Sequence, residues 1–247
     1  MTRHIRFSRV HNFRDLGGYA ADAGLTVRWG RLYRSDSLAK LQGADWDRFL
    51  ALGVRTVIDL RYPWEIAARG RIPESDGLGY HNLSIEHRPY DQEALGADVE
   101  PGRYLADRFG EVAHDGTAEI RRALEVVAEG DAPAVFHCAS GKDRTGLLAA
   151  LILSLLGVSE EDVVADFALT ELATAGLVAD WSARNEGRAP RWPGYGRAPG
   201  EVMRLFLADL TASYGSVRGY TADRLGVDDE LVTLLRKQLL EDRDGTL

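Results

Sequence analysis

His137-Cys138-Ala139-Ser140-Gly141-Lys142-Asp143-Arg144-Thr145-Gly146 places the only cysteine of the chain six positions before an arginine. Just upstream, Ala134-Val135-Phe136 is a short apolar run after Asp131 and Pro133, the pattern of a buried parallel strand that delivers Cys138 to its end. Downstream, Gly146 to Leu156 is nearly all apolar and stops at Gly157, which predicts a buried helix. Gly141 supplies the backbone freedom that the connection between them needs. Strand, loop and helix form one unit of an α/β sheet.

A loop that runs into a helix start presents several unpaired N–H groups in one direction, with the positive end of the helix dipole behind them. That arrangement suits a phosphate dianion. Ala139, Ser140, Gly141, Lys142, Thr145 and Gly146 are therefore the candidate substrate-binding residues. The same field favours a thiolate, since cysteines beside helix N-termini and cations titrate at about 3.5 to 7.5 instead of about 8.5. Cys138 is the candidate nucleophile. Arg144 is the candidate clamp, because a planar guanidinium grips two phosphoryl oxygens at once. Thr145 offers either a hydroxyl near the sulfur or a helix N-cap. Lys142, one of three lysines in the chain, supplies a second cation unless it is simply solvated.

Other chemistries fit less well. The Walker pattern requires Gly-Lys-Ser/Thr, whereas Gly141-Lys142 is followed by Asp143 and no glycine lies five positions earlier. One cysteine makes no Cys pair, and the six histidines lack a His-Glu-x-x-His spacing, so neither a metal nor another cofactor is expected.

The motif His-Cys-x-x-Gly-Lys-Asp-Arg-Thr-Gly resembles the signature of the cysteine-dependent protein tyrosine phosphatases. It is most similar to an atypical bacterial branch with tyrosine, serine/threonine and phosphoinositide activity. His11-Asn12-Phe13-Arg14-Asp15-Leu16-Gly17-Gly18-Tyr19, Arg34-Ser35-Asp36-Ser37-Leu38 and Asp59-Leu60-Arg61 extend the resemblance over nearly the whole chain. It implies a phosphotyrosine-phosphatase-like fold and a two-step hydrolysis of phosphate monoesters: Cys138 attacks phosphorus, and water then cleaves the cysteinyl-phosphate. It also implies that the aspartate of the signature, Asp143, is the general acid. Asp59 is the rival, because it ends the apolar run Thr56-Val57-Ile58 and so falls at a strand's carboxyl edge, although an ion pair with Arg61 or Arg34 would explain it too. Lysine at the Lys142 position is frequent in phosphatases that act on phosphoinositides. Two alternatives stand beside this reading: a phospho-ligand binding module without turnover, and a sulfurtransferase or arsenate-reductase-like thiol enzyme.

The 247 residues, 45% hydrophobic, suffice for one core, so one domain over 1–247 is expected. A net charge of −8 without a basic aromatic stripe argues against nucleic acid. No apolar run is long enough to span a bilayer and no signal-peptide core opens the chain, which points to the cytoplasm. The expected partners are a phosphorylated protein or a phosphoinositide, while oligomeric state leaves no mark in the sequence.

Arg31–Arg34, Thr56–Leu60, Tyr80–Ile85 and Ala134–Phe136 read as strands alternating with helices, which predicts a central, mostly parallel sheet flanked by helices. Helices are expected over Ala44–Leu52, 117–129, from Ser159 through Phe167, around Leu172–Leu177, over Val202–Leu210 and over Asp228–Leu240. Phe13–Gly18 reads as a turn in which Asp15 pairs with Arg14 or caps backbone N–H groups. Asn185–Gly200 reads as a long loop that exposes aromatic surface. In the family resembled, the helices after the signature cover the pocket, so 165–200 is expected to form a lid, with Arg188, Arg191 or Arg197 reaching anionic substrates.

Overall fold

The computed structural model describes residues 2–92 and 94–242. Its main sheet is built from β1 (Arg14–Asp15), β3 (Leu32–Ser35), β4 (Thr56–Asp59), β5 (Gly79–Asn82) and β6 (Ala134–His137), in the order β1-β3-β6-β4-β5. Only the short β1 is antiparallel to its neighbour. A separate antiparallel pair joins β2 (Leu25–Val27) to β7 (Leu240–Asp242).

The sheet takes its two faces from the period-two alternation of strands. Ala134 and Phe136 of β6, with Leu32 and Ile58 beside them, enter the larger apolar cluster. Val135, Tyr33 and Val57 enter the smaller cluster on the opposite face, where they meet Phe49. Phe49 belongs to α1 (Ala44–Leu50), which is followed by α2 (Pro63–Arg69). The larger face is covered by α3 (Pro101–Asp115), α4 (Thr117–Glu129), α5 (Asp143–Leu155), α6 (Glu160–Ala168), α8 (Gly200–Tyr214), α9 (Val217–Leu225) and α10 (Asp229–Leu239), with α7 (Thr174–Arg184) between α6 and α8. The architecture is α/β, with a mostly parallel sheet flanked by helices.

Register explains where the site lies. Ser35 pairs with His137 and His137 with Asp59, so β3, β6 and β4 end level with one another. The connections that leave these three carboxyl ends converge on one edge, which is where open α/β sheets place ligands.

Several boundaries differ from the sequence expectation. The helix after the signature begins at Asp143, a turn earlier than the apolar pattern shows, because Asp143-Arg144-Thr145 makes its first turn. Thr145 is thus inside the helix, and the N-cap role is corrected: Lys142 stands at the cap. The strand expected to run to Ile85 ends at Asn82, and the chain then turns to bring Glu86 to the carboxyl edge. Asp15 does cap, taking the N–H groups of Gly17 and Gly30 at 2.7 Å each, but Arg14 pairs with Asp166 instead. Trp192, expected on exposed surface, is buried, and its indole N–H donates to the Val99 carbonyl at 3.0 Å. No helix among the described residues is long and apolar enough to cross a membrane.

Candidate active site

Residues 138–142 form a loop held from outside by its carbonyls. The Ala139 carbonyl accepts from the Ser37 N–H at 3.2 Å, and the Ser140 and Gly141 carbonyls both accept from Asn12 Nδ2 at 3.0 Å. Arg34 Nη2 donates to the Gly141 carbonyl at 2.8 Å. With these oxygens drawn outward, the N–H groups of Ala139, Ser140, Gly141 and Lys142 donate to no backbone carbonyl among the described residues. Gly141 has φ +68°, and a Cβ there would stand 2.5 Å from the Ser35 carbonyl oxygen, so the loop can pack against β3 only with glycine at this position.

A buried ion cluster anchors the outer side of the loop. Asp166 of α6 accepts from Arg14 Nε at 3.1 Å, from Arg34 Nη1 at 2.6 Å and from the Tyr19 hydroxyl at 3.2 Å. Burial opposes its ionisation, but the two guanidiniums prevail and bring its pKa down to about 2. Arg34 is lowered to about 10, by burial first and by the like charge of Arg14 second. One arginine of the pair thus links the anchor directly to the loop.

Cys138 directly follows β6 and is 1% exposed, packed against the larger apolar cluster. Arg144, on the first turn of α5, is fixed by Glu65 of α2, which accepts from Nη1 at 2.6 Å and from Nη2 at 3.1 Å. Burial works against the charged guanidinium, but the charges of Cys138 and Glu65 raise the Arg144 pKa above its ordinary value. Glu65 is itself positioned by the start of α2, where Oε2 accepts the Tyr62 N–H at 2.9 Å and Pro63 sets the first turn.

A cleft of about 510 Å³ opens beside the loop and is lined by Ala139, Ser140, Lys142, Asp143 and Arg144. Lys142 is buried, not solvated: Nζ lies 3.4 Å from Gln92 Oε1, 3.5 Å from Asp143 Oδ1 and 5.7 Å from the centre of the Trp192 ring. Asp143 Oδ2 accepts from Gln92 Nε2 at 3.1 Å, while Oδ1 has no hydrogen-bond partner among the described residues. The buried Thr145 hydroxyl likewise has none. Gly146 brings α5 against Phe167, where a Cβ would stand 2.8 Å from the ring. A loop of this kind between a cysteine and an arginine, with free amides, a fixed guanidinium and an aspartate at the cleft wall, can bind an oxyanion and exchange a proton beside it.

A model described as the tyrosine phosphatase family matches residues 5–241. The chain belongs to the tyrosine phosphatase family. It is 33% identical to a provisionally named tyrosine-protein phosphatase of Cupriavidus necator, over 92% of this chain and 86% of that one. It is 29% identical to the triple specificity protein phosphatase PtpB of Mycobacterium tuberculosis, over 93% and 96%. A tyrosine-protein phosphatase of Nostoc commune is 27% identical over 83% and 73%. The protein is a tyrosine-phosphatase-like hydrolase.

Within this phosphatase Asp59 does not line the cleft. Its Oδ1 accepts from Arg61 Nε at 2.9 Å, and its Oδ2 accepts from Arg61 Nη2 at 2.6 Å and from the Tyr80 hydroxyl at 2.9 Å. Although burial disfavours its charge, His137 and Arg61 hold its pKa below the ordinary carboxylate value. Arg61 Nη2 also donates to the Gly70 carbonyl at 3.0 Å, so the pair ties the C-terminal end of α2 to the sheet.

The segment after α6 also meets the cleft, but through other residues than its composition suggests. Leu177, Asp180 and Arg184 of α7 line it, with Tyr195 and Gly196. Arg188, Arg191 and Arg197 do not: Arg197 pairs with Glu171 at 2.6 Å, and Arg188 Nε donates to the Asn185 carbonyl. Glu65, Glu86 and Asp166 escaped sequence reasoning altogether, and Asn12 figures there only within the 11–19 segment, without a role at the loop. The signal available for Glu65 was Tyr62-Pro63-Trp64-Glu65, a helix start with a reciprocal carboxylate.

Proposed function

We propose that this phosphatase hydrolyses phosphate monoesters through a cysteinyl-phosphate on Cys138. The substrate phosphoryl group sits on the free amides of residues 139–142, with Arg144 gripping two of its oxygens. The sulfur displaces the leaving oxygen in line, and Asp143 supplies the proton that oxygen needs. Water then attacks the phosphocysteine, Asp143 takes up its proton, and phosphate leaves. Guanidinium and amides stabilise the charge that shifts onto the equatorial oxygens in both steps.

The observation that carries this reading is the division of the loop: carbonyls tied outward to Asn12, Arg34 and Ser37, amides left for an anion, and Arg144 held at the wall by Glu65. Asp143 is favoured over Asp59 as the acid because it lines the cleft, whereas the Asp59 carboxylate is committed to Arg61 and Tyr80.

Phosphotyrosine is the first substrate class, with phosphoserine, phosphothreonine and phosphoinositides beside it, in the cytoplasm. Two features support substrates that carry further negative charge. Lys142 is packed into the cleft wall, and Arg9, Arg69 and Arg184 bring three cations from three separate segments to the same cleft. Residues of the 165–200 segment, Leu177 and Tyr195 among them, serve as its cover. Sulfur transfer and arsenate reduction have no comparable support.

Rapid acid quenching during p-nitrophenyl phosphate turnover, followed by peptide mass spectrometry, tests the mechanism. One phosphoryl group on the Cys138 peptide is expected. A burst of nitrophenol with phosphate on no residue, or on another residue, would refute it.

A further inference from the structure

Glu86 lines the cleft and has no part in the steps above. It is 6% exposed, in the segment that leaves the sheet after β5. Its carboxylate accepts no hydrogen bond from any described residue: Oε2 stands 3.4 Å from Arg144 Nε outside hydrogen-bond geometry, and Oε1 stands 3.9 Å from Arg108 Nη2. Arg108 is committed elsewhere, to Glu111 and to the Arg88 carbonyl. Arg144 has both Nη groups on Glu65.

A buried carboxylate without donors is poorly solvated, and protonation relieves it. The groups that face Glu86 act in the same direction on balance. Burial raises its pKa first, Asp143 and Glu65 add negative charge, Arg144 and Arg108 offset part of this, and the value comes to about 7. The hydroxyls of Tyr62 and Tyr90, whose own ionisation is suppressed by burial, complete its surroundings.

An oxyanion bound to Arg144 would bring negative charge against this carboxyl. We infer that Glu86 is a positioning residue whose protonation is linked to anion binding: it takes one proton from solvent when a tetrahedral dianion occupies the loop, and returns it when the site empties. As the neutral acid it no longer competes for Arg144 Nε. In the empty site the carboxylate shares Arg144 with Glu65 and steadies the guanidinium. This inference rests on the loop being an anion site, as proposed above.

Sulfate is the probe, because it remains a dianion across the working pH range, and Cys138→Ser removes thiol titration. Titration calorimetry of Cys138→Ser at pH 8, in buffers of different ionisation enthalpy, is expected to show uptake approaching about one proton per sulfate. Affinity should weaken by up to about tenfold per pH unit above neutrality. Adding Glu86→Gln should abolish the uptake and flatten the pH dependence. Sulfate binding without proton uptake in Cys138→Ser overturns the inference regardless of how the double variant folds, and uptake that survives Glu86→Gln overturns it as well. Sulfate that binds at no pH would defeat the anion-site reading itself, and this inference with it.

Discussion

Glu65 takes both Nη groups of Arg144, at 2.6 and 3.1 Å, so the guanidinium plane is fixed before any substrate arrives. The carboxylate that does this lies on α2, far from the signature in sequence and fixed by its own helix start. Bidentate pairs give orientation as well as energy, and orientation is what a phosphoryl clamp requires.

Glu65→Gln should therefore lower kcat/KM by roughly 10- to 100-fold, since a misplaced catalytic group costs on that order. Steady-state kinetics on p-nitrophenyl phosphate checks this, with thermal melts as a control. Unchanged kinetics would mean that Arg144 orients itself without Glu65.

The Arg14–Asp166–Arg34 cluster should matter for both stability and activity. Removing the central charge strands two buried guanidiniums, so Asp166→Asn is expected to cost about 3–5 kcal/mol in urea denaturation at neutral pH. The folded pKa of about 2 lies below the ordinary aspartate value of 3.8. The depressed value means that the charge-linked part of the stability, on the order of 2 kcal/mol, is fully present above about pH 4 and is lost as pH falls through about 2. The gap between wild type and variant should narrow over that window, and a constant gap would exclude the ion cluster as its source.

Asp143→Asn removes the group that supplies the proton the leaving oxygen needs. The rate should fall by about 10²- to 10⁴-fold with phenyl phosphate and far less with p-nitrophenyl phosphate, whose leaving group departs without protonation. Equal losses on the two substrates would reassign the acid.

Lys142 packs between Gln92, Asp143 and the Trp192 ring, so its charge is held at the cleft wall. Lys142→Ala should reduce turnover of doubly phosphorylated and inositol phosphate substrates more than that of a singly phosphorylated tyrosine peptide. A ratio that does not move would remove Lys142 from substrate selection.

The parallel core was legible because β6 and α5 announce themselves locally: three apolar residues before Cys138, then an apolar helix closed by Gly157. The turn between them was legible for the same reason, since its glycine, arginine and helix start are contiguous. What escaped reading is what the fold brings together across long separations. Asp166 lies 152 residues from Arg14 and 132 from Arg34, and nothing in its local sequence marks it as the partner of either. Glu86 is a polar residue that the end of β5 turns inward, a burial that no periodicity encodes. The proline- and glycine-rich stretch after α7 reads as exposed from composition, yet Trp192 is buried and its indole finds an acceptor in the Val99 carbonyl, 93 residues away in sequence. Asp59 was ambiguous for the reason that strand ends are: the register places it level with Cys138's strand, but its neighbour Arg61 captures it.

The central claim, that Cys138 is the nucleophile on an anion-binding loop, is tested most directly by p-nitrophenyl phosphate hydrolysis with wild type and Cys138→Ser side by side. Wild type should release phosphate, and Cys138→Ser should lose at least about 10⁴-fold in kcat while remaining folded and able to bind sulfate. A serine variant that turns over near the wild-type rate would contradict the account.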